Sequence, residues 1–216
     1  MEQKEKRPYN SPRRQEQARQ TRQKILEAAQ RLFASDGYVA TTLPAIAREA
    51  GVSPATLTVV FGTKFSILDA IIKRSVRGDE ASAPMGSRSW WQEMLSEPDP
   101  VRQLALFAAV ARRIQEQSSD IAEIVRRAET ADPELAALRR ALGESRLLDT
   151  RMVIAALAET GALAPGMTVE RATDILWTLS SQETYRTLVV ERGWSPGDYE
   201  QWLASALPRL LLAHGP

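Results

Sequence analysis

Cysteine is absent from the 216 residues. That excludes a disulfide framework, a thiolate metal site and a cysteine nucleophile, and it fits a reducing compartment. Histidine occurs once, as His214 near the end of the sequence, so neither a Glu-x-x-His ligand pair nor an imidazole base beside a serine is available. No glycine-rich phosphate loop follows a strand, and a carboxylate pair such as Asp79-Glu80 sits in a connecting stretch where solvation is its simplest role. The expectation is a protein that is not an enzyme and carries no metal or cofactor. Long apolar runs are missing too. The longest, from Leu104 to Ala111, is 8 residues, against the ~20 that span a bilayer. The first two dozen residues are polar and basic, unlike a signal peptide, so a cytoplasmic protein with no membrane partner is expected. There is also no strand-like alternation bounded by hairpin turns, no internal repeat and no low-complexity tract.

What is present is material for helices. Apolar residues make up 44% of the chain, the share of a soluble globular protein, and they recur at steps of three and four. Ile25, Leu26, Ala28, Ala29, Leu32 and Phe33 do so in a helix that follows Ser11-Pro12 and closes at Gly37. Thr41 or Thr42 caps a short helix that tolerates Pro44 in its first turn. Gly62 stops a third helix, and Thr63 caps a fourth from Lys64 through about Ser75, with Phe65, Ile67, Leu68, Ile71 and Ile72 inward. Residues 78–100, rich in proline, glycine and serine, read as a connection. Within it Trp90-Trp91-Gln92-Glu93-Met94-Leu95 makes one or two helical turns. Beyond it, helices are predicted near 101–117, 119–130, 133–160, 168–192 and 196–213, punctuated by Pro133, Gly161, Pro165-Gly166, Gly193 and Pro196. The fold class is therefore all-α. A flexible basic arm (1–12) precedes a head (13–77); the connection (78–100) leads to a larger helical body (101–216).

The stretch Thr41 to Lys64, TTLPAIAREAGVSPATLTVVFGTK, carries the punctuation of a helix-turn-helix over 42–61. Two helices crossing near a right angle need a small residue where they touch, a turn residue that accepts positive φ and an apolar anchor on the second helix. Ala47, Gly51 and Leu57 stand at that spacing, with Ile46, Ala50 and Val52 completing a small core. Ser53 as N-cap and Pro54 at the first helical position start the second helix. The alternative is an ordinary helical hairpin. Charge favours a DNA reader: residues 1–80 hold 14 Lys and Arg against 9 Asp and Glu, while residues 81–216 hold 14 against 18. Local positive charge releases counterions from a polyanion, although a solvated basic tail would look the same. Lys4, Lys6, Arg7, Arg13 and Arg14 are placed to reach phosphates or a minor groove. On the second helix, Ala55, Thr56, Thr58, Val59 and Val60 are the groove-facing candidates, with Val60 equally suited to packing inside the head. Valine and threonine methyls pack on thymine methyls, and the absence of arginine from Ser53 to Val60 rules out bidentate guanine reading by this helix. Thr42, Ser53, Thr63 and Lys64 form the phosphate set, because helix N-termini offer free N–H groups and about half a positive charge. The three hydroxyls could equally serve as caps alone.

These residues resemble the TetR family of bacterial transcriptional regulators. The resemblance rests on ILEAAQRLFASDGYVATT, on IAREAGVSPATL and on FGTK followed by an apolar helix, from about Thr21 to Ile72. It extends less specifically to WWQEMLSEPDP, ADPELAALRR and LWTLSSQETYRTLVVERGWSPGDYEQWL. It implies an all-α homodimer with a three-helix DNA-binding head and a larger helical ligand-binding and dimerisation domain. Each dimer would read an inverted-repeat operator, with the last two long helices pairing across a four-helix bundle and a small molecule releasing DNA. Repressor rather than activator follows from the resemblance alone. One departure is that the family usually carries an aromatic after the Thr-Leu of the recognition helix, where this chain has Thr58, and an aromatic or histidine at Val60. A helical dimeric protein-interaction module with a degenerate DNA-binding head is therefore the alternative.

The body is expected to take a small apolar or aromatic effector. Phe107, Met152 and Trp177 are the pocket candidates, Trp90 and Trp91 could close an entrance, and Arg112, Arg113 and Glu183 could add polar contacts, although core packing and solvated faces are the simpler roles. The dimerisation set is Leu176, Leu179, Trp202, Leu203, Ala206, Leu207 and Leu210. Ile175-Leu176-Trp177 makes its helix apolar on more than one side, and the last helix carries a broad apolar stripe that would be an aggregation hazard if exposed. Packing within one subunit is the alternative.

Overall fold

The computed structural model describes residues 12–77 and 85–213, and the regular elements within them are helical. They are α1 (Pro12–Ser35), α2 (Leu43–Glu49), α3 (Pro54–Phe61), α4 (Lys64–Arg77), a 3-10 turn (Met85–Ser87), α5 (Ser89–Leu95), α6 (Pro100–Ala128), α7 (Pro133–Glu159), α8 (Val169–Leu179), α9 (Gln182–Tyr185) with a π-helical turn (Arg186–Glu191), and α10 (Pro196–Leu211). One isolated antiparallel bridge joins Leu163 and Leu212. The basic arm lies outside the described residues except from Pro12, which opens α1, as do Asp79-Glu80 and His214. No single described helix is long and apolar enough to cross a membrane.

Four helix starts are written in cap-proline pairs. Ser53, Asp99, Asp132 and Ser195 each accept a backbone N–H in the first turn, and Pro54, Pro100, Pro133 and Pro196 follow them at the first helical position. There the missing proline N–H is one the helix would leave unpaired in any case. Thr42, not Thr41, caps α2; Thr41 is buried and donates its hydroxyl to Gly37 O at 2.8 Å.

The chain divides into two units between Ile71 and Ile72, inside α4 and before the expected boundary at residue 77. In the first unit Ile25, Leu26, Ala29 and Phe33 of α1 are buried with Ile46, Ala47, Leu57, Ile67 and Leu68. Phe33 and Tyr38 close one end with ring centroids 5.2 Å apart.

In the second unit α10 packs along α6, and α7 along α8. The core gathers Met85, Trp91, Met94, Leu104, Phe107, Val153, Ile154, Leu157, Leu176, Tyr185, Tyr199, Leu203, Leu207 and Leu211. The two helices expected at 101–117 and 119–130 are one, α6. No glycine or proline interrupts it after Pro100, and Ser118 Oγ donates to Ile114 O at 2.7 Å, so the serine pair at 118–119 is absorbed. The single helix expected at 168–192 is instead broken after Leu179. Ser181 starts a new helix by accepting from Thr184 N at 3.0 Å. The freed carbonyls are met by Thr184 Oγ1 of the new helix, which donates to Thr178 O at 2.9 Å, and by side chains of three other helices: Arg146 Nη1 donates to Trp177 O at 2.7 Å, Tyr199 Oη to Leu179 O at 3.3 Å and Gln115 Nε2 to Ser180 O at 2.8 Å.

Candidate nucleic-acid interface

The turn between α2 and α3 has the required form. Gly51 sits at φ +67°, in the left-handed region. Val52 N donates to Ala47 O at 3.0 Å and Gly51 N to Arg48 O at 3.2 Å, which folds the chain back. Ala47 and Leu57 are both buried, as the crossing requires.

On α3 the inward residues are Leu57 and Phe61, one turn apart. Ala55, Thr58 and Val59, at steps of three and four, are exposed and share the opposite side. Val59 is 87% exposed, a large apolar side chain that no fold requirement puts there. Val60 is half-buried, between its two expected roles. Thr58 Oγ1 donates to Pro54 O at 3.0 Å, and Thr56 Oγ1 meets Ser53 Oγ at 2.8 Å. No charged side chain lies between Pro54 and Phe61, so the outward face is methyl-rich and neutral.

The three expected phosphate hydroxyls are exposed, and all three are caps. Thr42 Oγ1 accepts from Ala45 N at 3.3 Å, Ser53 Oγ from Thr56 N at 3.0 Å and Thr63 Oγ1 from Ser66 N at 3.0 Å. They mark the starts of α2, α3 and α4.

Lys64, expected at a phosphate, has partners within the head. Its ammonium donates to Tyr38 O at 2.7 Å, Thr41 O at 2.9 Å and Val39 O at 3.2 Å, an acceptor for each N–H, and lies 4.3 Å from the centre of the Tyr38 ring. It ties the start of α4 to the α1–α2 loop. A second cation acts similarly: Arg22 of α1 reaches Val60 O at 3.4 Å and covers the Phe61 ring at 4.1 Å. A cation at the C-terminal carbonyls of α3 opposes the negative end of its dipole. The sequence pattern gave no sign of this anchor, because Arg22 stands 38 positions away from Val60.

In the second unit the expected ligand residues separate. Trp91 and Phe107 are buried in the core, Trp90 is half-buried against Trp91, and Trp177 is half-buried with Arg146 over its ring at 4.3 Å. Met152 is not among them in the core: it is 38% exposed, one turn beyond Leu148 on the outer side of α7, beside Gly86. Arg112 pairs with Glu116 and Glu200, Glu183 with Arg139, and Arg113 stacks on Trp90.

The dimerisation set divides too. Leu176, Leu203 and Leu207 are fully buried inside their own subunit. The four-residue period Tyr199, Leu203, Leu207, Leu211 is the buried stripe of α10, so Leu176, Leu203 and Leu207 belong to the subunit's own core. Leu179, Trp202 and Ala206 remain half-buried and Leu210 is 48% exposed. Trp194, Asp198, Gln201, Trp202 and Ser205 line an open concavity of about 560 Å³ on the outer side of α10, with the Trp194 and Trp202 rings edge to face at 6.2 Å.

Residues 25–71 match the family model of bacterial regulatory proteins, tetR family, which spans the head from α1 into α4. No curated protein matches the sequence. Solved structures do. SmeT in its complex with triclosan is similar with a TM-score of 0.71 at 18% identity, over 90% of this chain and 93% of that one. NalD, the secondary repressor of the MexAB-OprM multidrug efflux pump in Pseudomonas aeruginosa, gives 0.70 at 25% identity, over 90% of this chain and 98% of that one. A transcriptional regulator from Aquifex aeolicus gives 0.63 at 18% identity, over 87% and 97% respectively.

Proposed function

We propose that this chain, a transcriptional regulator of the tetR family by its head and its fold, grips an inverted-repeat operator as a homodimer and is released by a small molecule taken up in its helical body. The observation that carries the reading is the outward face of α3. A helix whose inner side is locked by Leu57, Phe61, Arg22 and a Ser53 cap presents Ala55, Thr58 and Val59 to solvent, Val59 almost bare. Such a face suits the major groove, where apolar groups read thymine methyls. Thr56 and Val60 flank it. Thr42, Ser53 and Thr63 bring helix N-termini to the phosphates, which position the head without reading sequence. Lys64 acts from behind, by fixing the loop that presents Thr42.

The homodimer would form on what α10 leaves open: Trp202, Ala206 and Leu210, continued by Leu179 and by Val190, which is 65% exposed. An isologous pairing there buries an apolar stripe that a monomer would leave in water. Two heads on a two-fold axis would read half-sites about 34–36 Å apart or somewhat further, in successive major grooves. Repression is the favoured sign, since NalD is a repressor, and SmeT bound to triclosan supports a small apolar or aromatic effector. A DNA reader of this kind works in the cytoplasm.

The test is fluorescence anisotropy with a labelled duplex from the DNA upstream of the protein's own coding region. Val59→Glu, which places a like charge against the phosphate-lined groove, is expected to weaken binding at least about tenfold, the scale of one lost base contact, with an unchanged melting midpoint. Undiminished binding by this variant would remove α3's outer face from the interface.

A further inference from the structure

Arg146 lies midway along α7, half-buried, and burial pushes its guanidinium below the usual arginine range. One nitrogen is committed: Nη1 donates to Trp177 O at 2.7 Å and reaches Ser180 Oγ at 3.5 Å. The C-terminus of α8 gives it about half a compensating charge. Its Nε and Nη2 donate to no described residue, and no described carboxylate lies within ion-pair distance. Its neighbours differ: Arg112 has Glu116 and Glu200, and Arg139 has Glu129 and Glu183. Glu183, the acid that acts on Arg146 through space, is itself held by Arg139 at 3.1 Å.

A second donor is unmet in the same contact. Trp177, whose ring lies 4.3 Å under the Arg146 guanidinium, has its Nε1 buried with no hydrogen-bond partner among the described residues. Buried donors without acceptors are uncommon and costly. The spot has donors and positive charge beyond what its two acceptor oxygens, Trp177 O and Ser180 Oγ, take up. One turn back on the same side of α7, Leu142 is 38% exposed and offers apolar surface.

We propose that Arg146 and Trp177 form the recognition site for an anionic amphipathic ligand, a carboxylate carried on an aromatic or alkyl body. The two carboxylate oxygens fork onto the Nε and Nη2 edge of Arg146, the bidentate geometry that a guanidinium favours. The apolar portion lies against Trp177 and Leu142. This rests on the ligand-released regulator proposed above and narrows its effector from apolar or aromatic to acidic. It also supplies a route to release: an anion that draws on the guanidinium competes with Trp177 O, one of the carbonyls that the break in α8 relies on.

The experiment titrates the full-length protein with phenylbutyrate and with its neutral counterpart phenylbutyramide, followed by tryptophan fluorescence. The acid is expected to bind about tenfold more tightly than the amide, the scale of a charge-assisted hydrogen bond. Arg146→Gln is expected to erase that preference, and Glu183→Gln, which removes the competing carboxylate, to strengthen the acid alone. Equal binding of acid and amide, no binding of the acid, or a preference that survives Arg146→Gln overturns the proposal. Should Arg146→Gln fail to fold, the wild-type comparison and Glu183→Gln decide it. DNA binding of the unliganded protein, measured on the same samples, separates the two readings. Its loss refutes the regulator, whereas intact DNA binding with no acid preference refutes only the acidic effector.

Discussion

Lys64 stands where two demands meet. A phosphate would use its charge, and the α1–α2 loop uses its donors. Three carbonyls within 3.2 Å and an aromatic ring beneath the ammonium occupy its donors in this structure, which favours the second. The carbonyls belong to residues 23 to 26 positions earlier, and for that reason the role is not legible in the local sequence, where a lysine at a helix start beside a cap reads as a phosphate ligand. Lys64→Met is therefore expected to destabilise the fold by about 1–3 kcal/mol, the cost of stranding polar partners with some recourse to water. The slope of log affinity against log salt should change by much less than the roughly one unit that loss of a phosphate contact brings. Urea unfolding and a salt titration of DNA binding check the two halves; a slope flattened by a full unit with stability intact would return Lys64 to the backbone. Val59 is the opposite case: its place on the outer side of α3 follows from its spacing to Leu57 and Phe61 alone.

Among the elements, starts were legible and interruptions were not. A Ser or Asp followed by proline is a local chemical instruction, and Ser53, Asp99, Asp132 and Ser195 all act on it. The break in α8 is set by partners far away in sequence: Gln115 on α6, Arg146 on α7 and Tyr199 on α10 supply the hydrogen bonds that a continuous helix would have made internally. No window of residues near Ser180 contains them. Helical periodicity was similarly blind to direction. It showed that α10 has a broad apolar stripe, but Leu203 and Leu207 belong to its buried part, and only the residues at its edge stay open. The break yields a prediction at this scale. Gln115→Leu leaves Ser180 O buried without its donor and should cost about 1–3 kcal/mol, measured by urea unfolding. A neutral outcome would mean that water or a rotated neighbour replaces Gln115, and that the break does not depend on it.

For the molecule as a whole, we propose that a neutral methyl-rich helix reads DNA because the affinity comes from elsewhere: from helix N-termini at Thr42, Ser53 and Thr63, from a chain whose first 80 residues carry the surplus of positive charge, and from doubling across the open side of α10. Sequence specificity is then small per head and the phosphate share large, which makes salt the decisive variable. The measurement is binding of the full-length protein to an inverted-repeat duplex from its upstream DNA, titrated between low and moderate salt with the stoichiometry read by analytical ultracentrifugation. Two protomers per duplex and an affinity that falls by about a thousandfold or more between 50 and 200 mM salt, as six or more phosphate contacts require, are the expected result. A protein that stays monomeric at micromolar concentration and binds duplex DNA with no dependence on salt would contradict it.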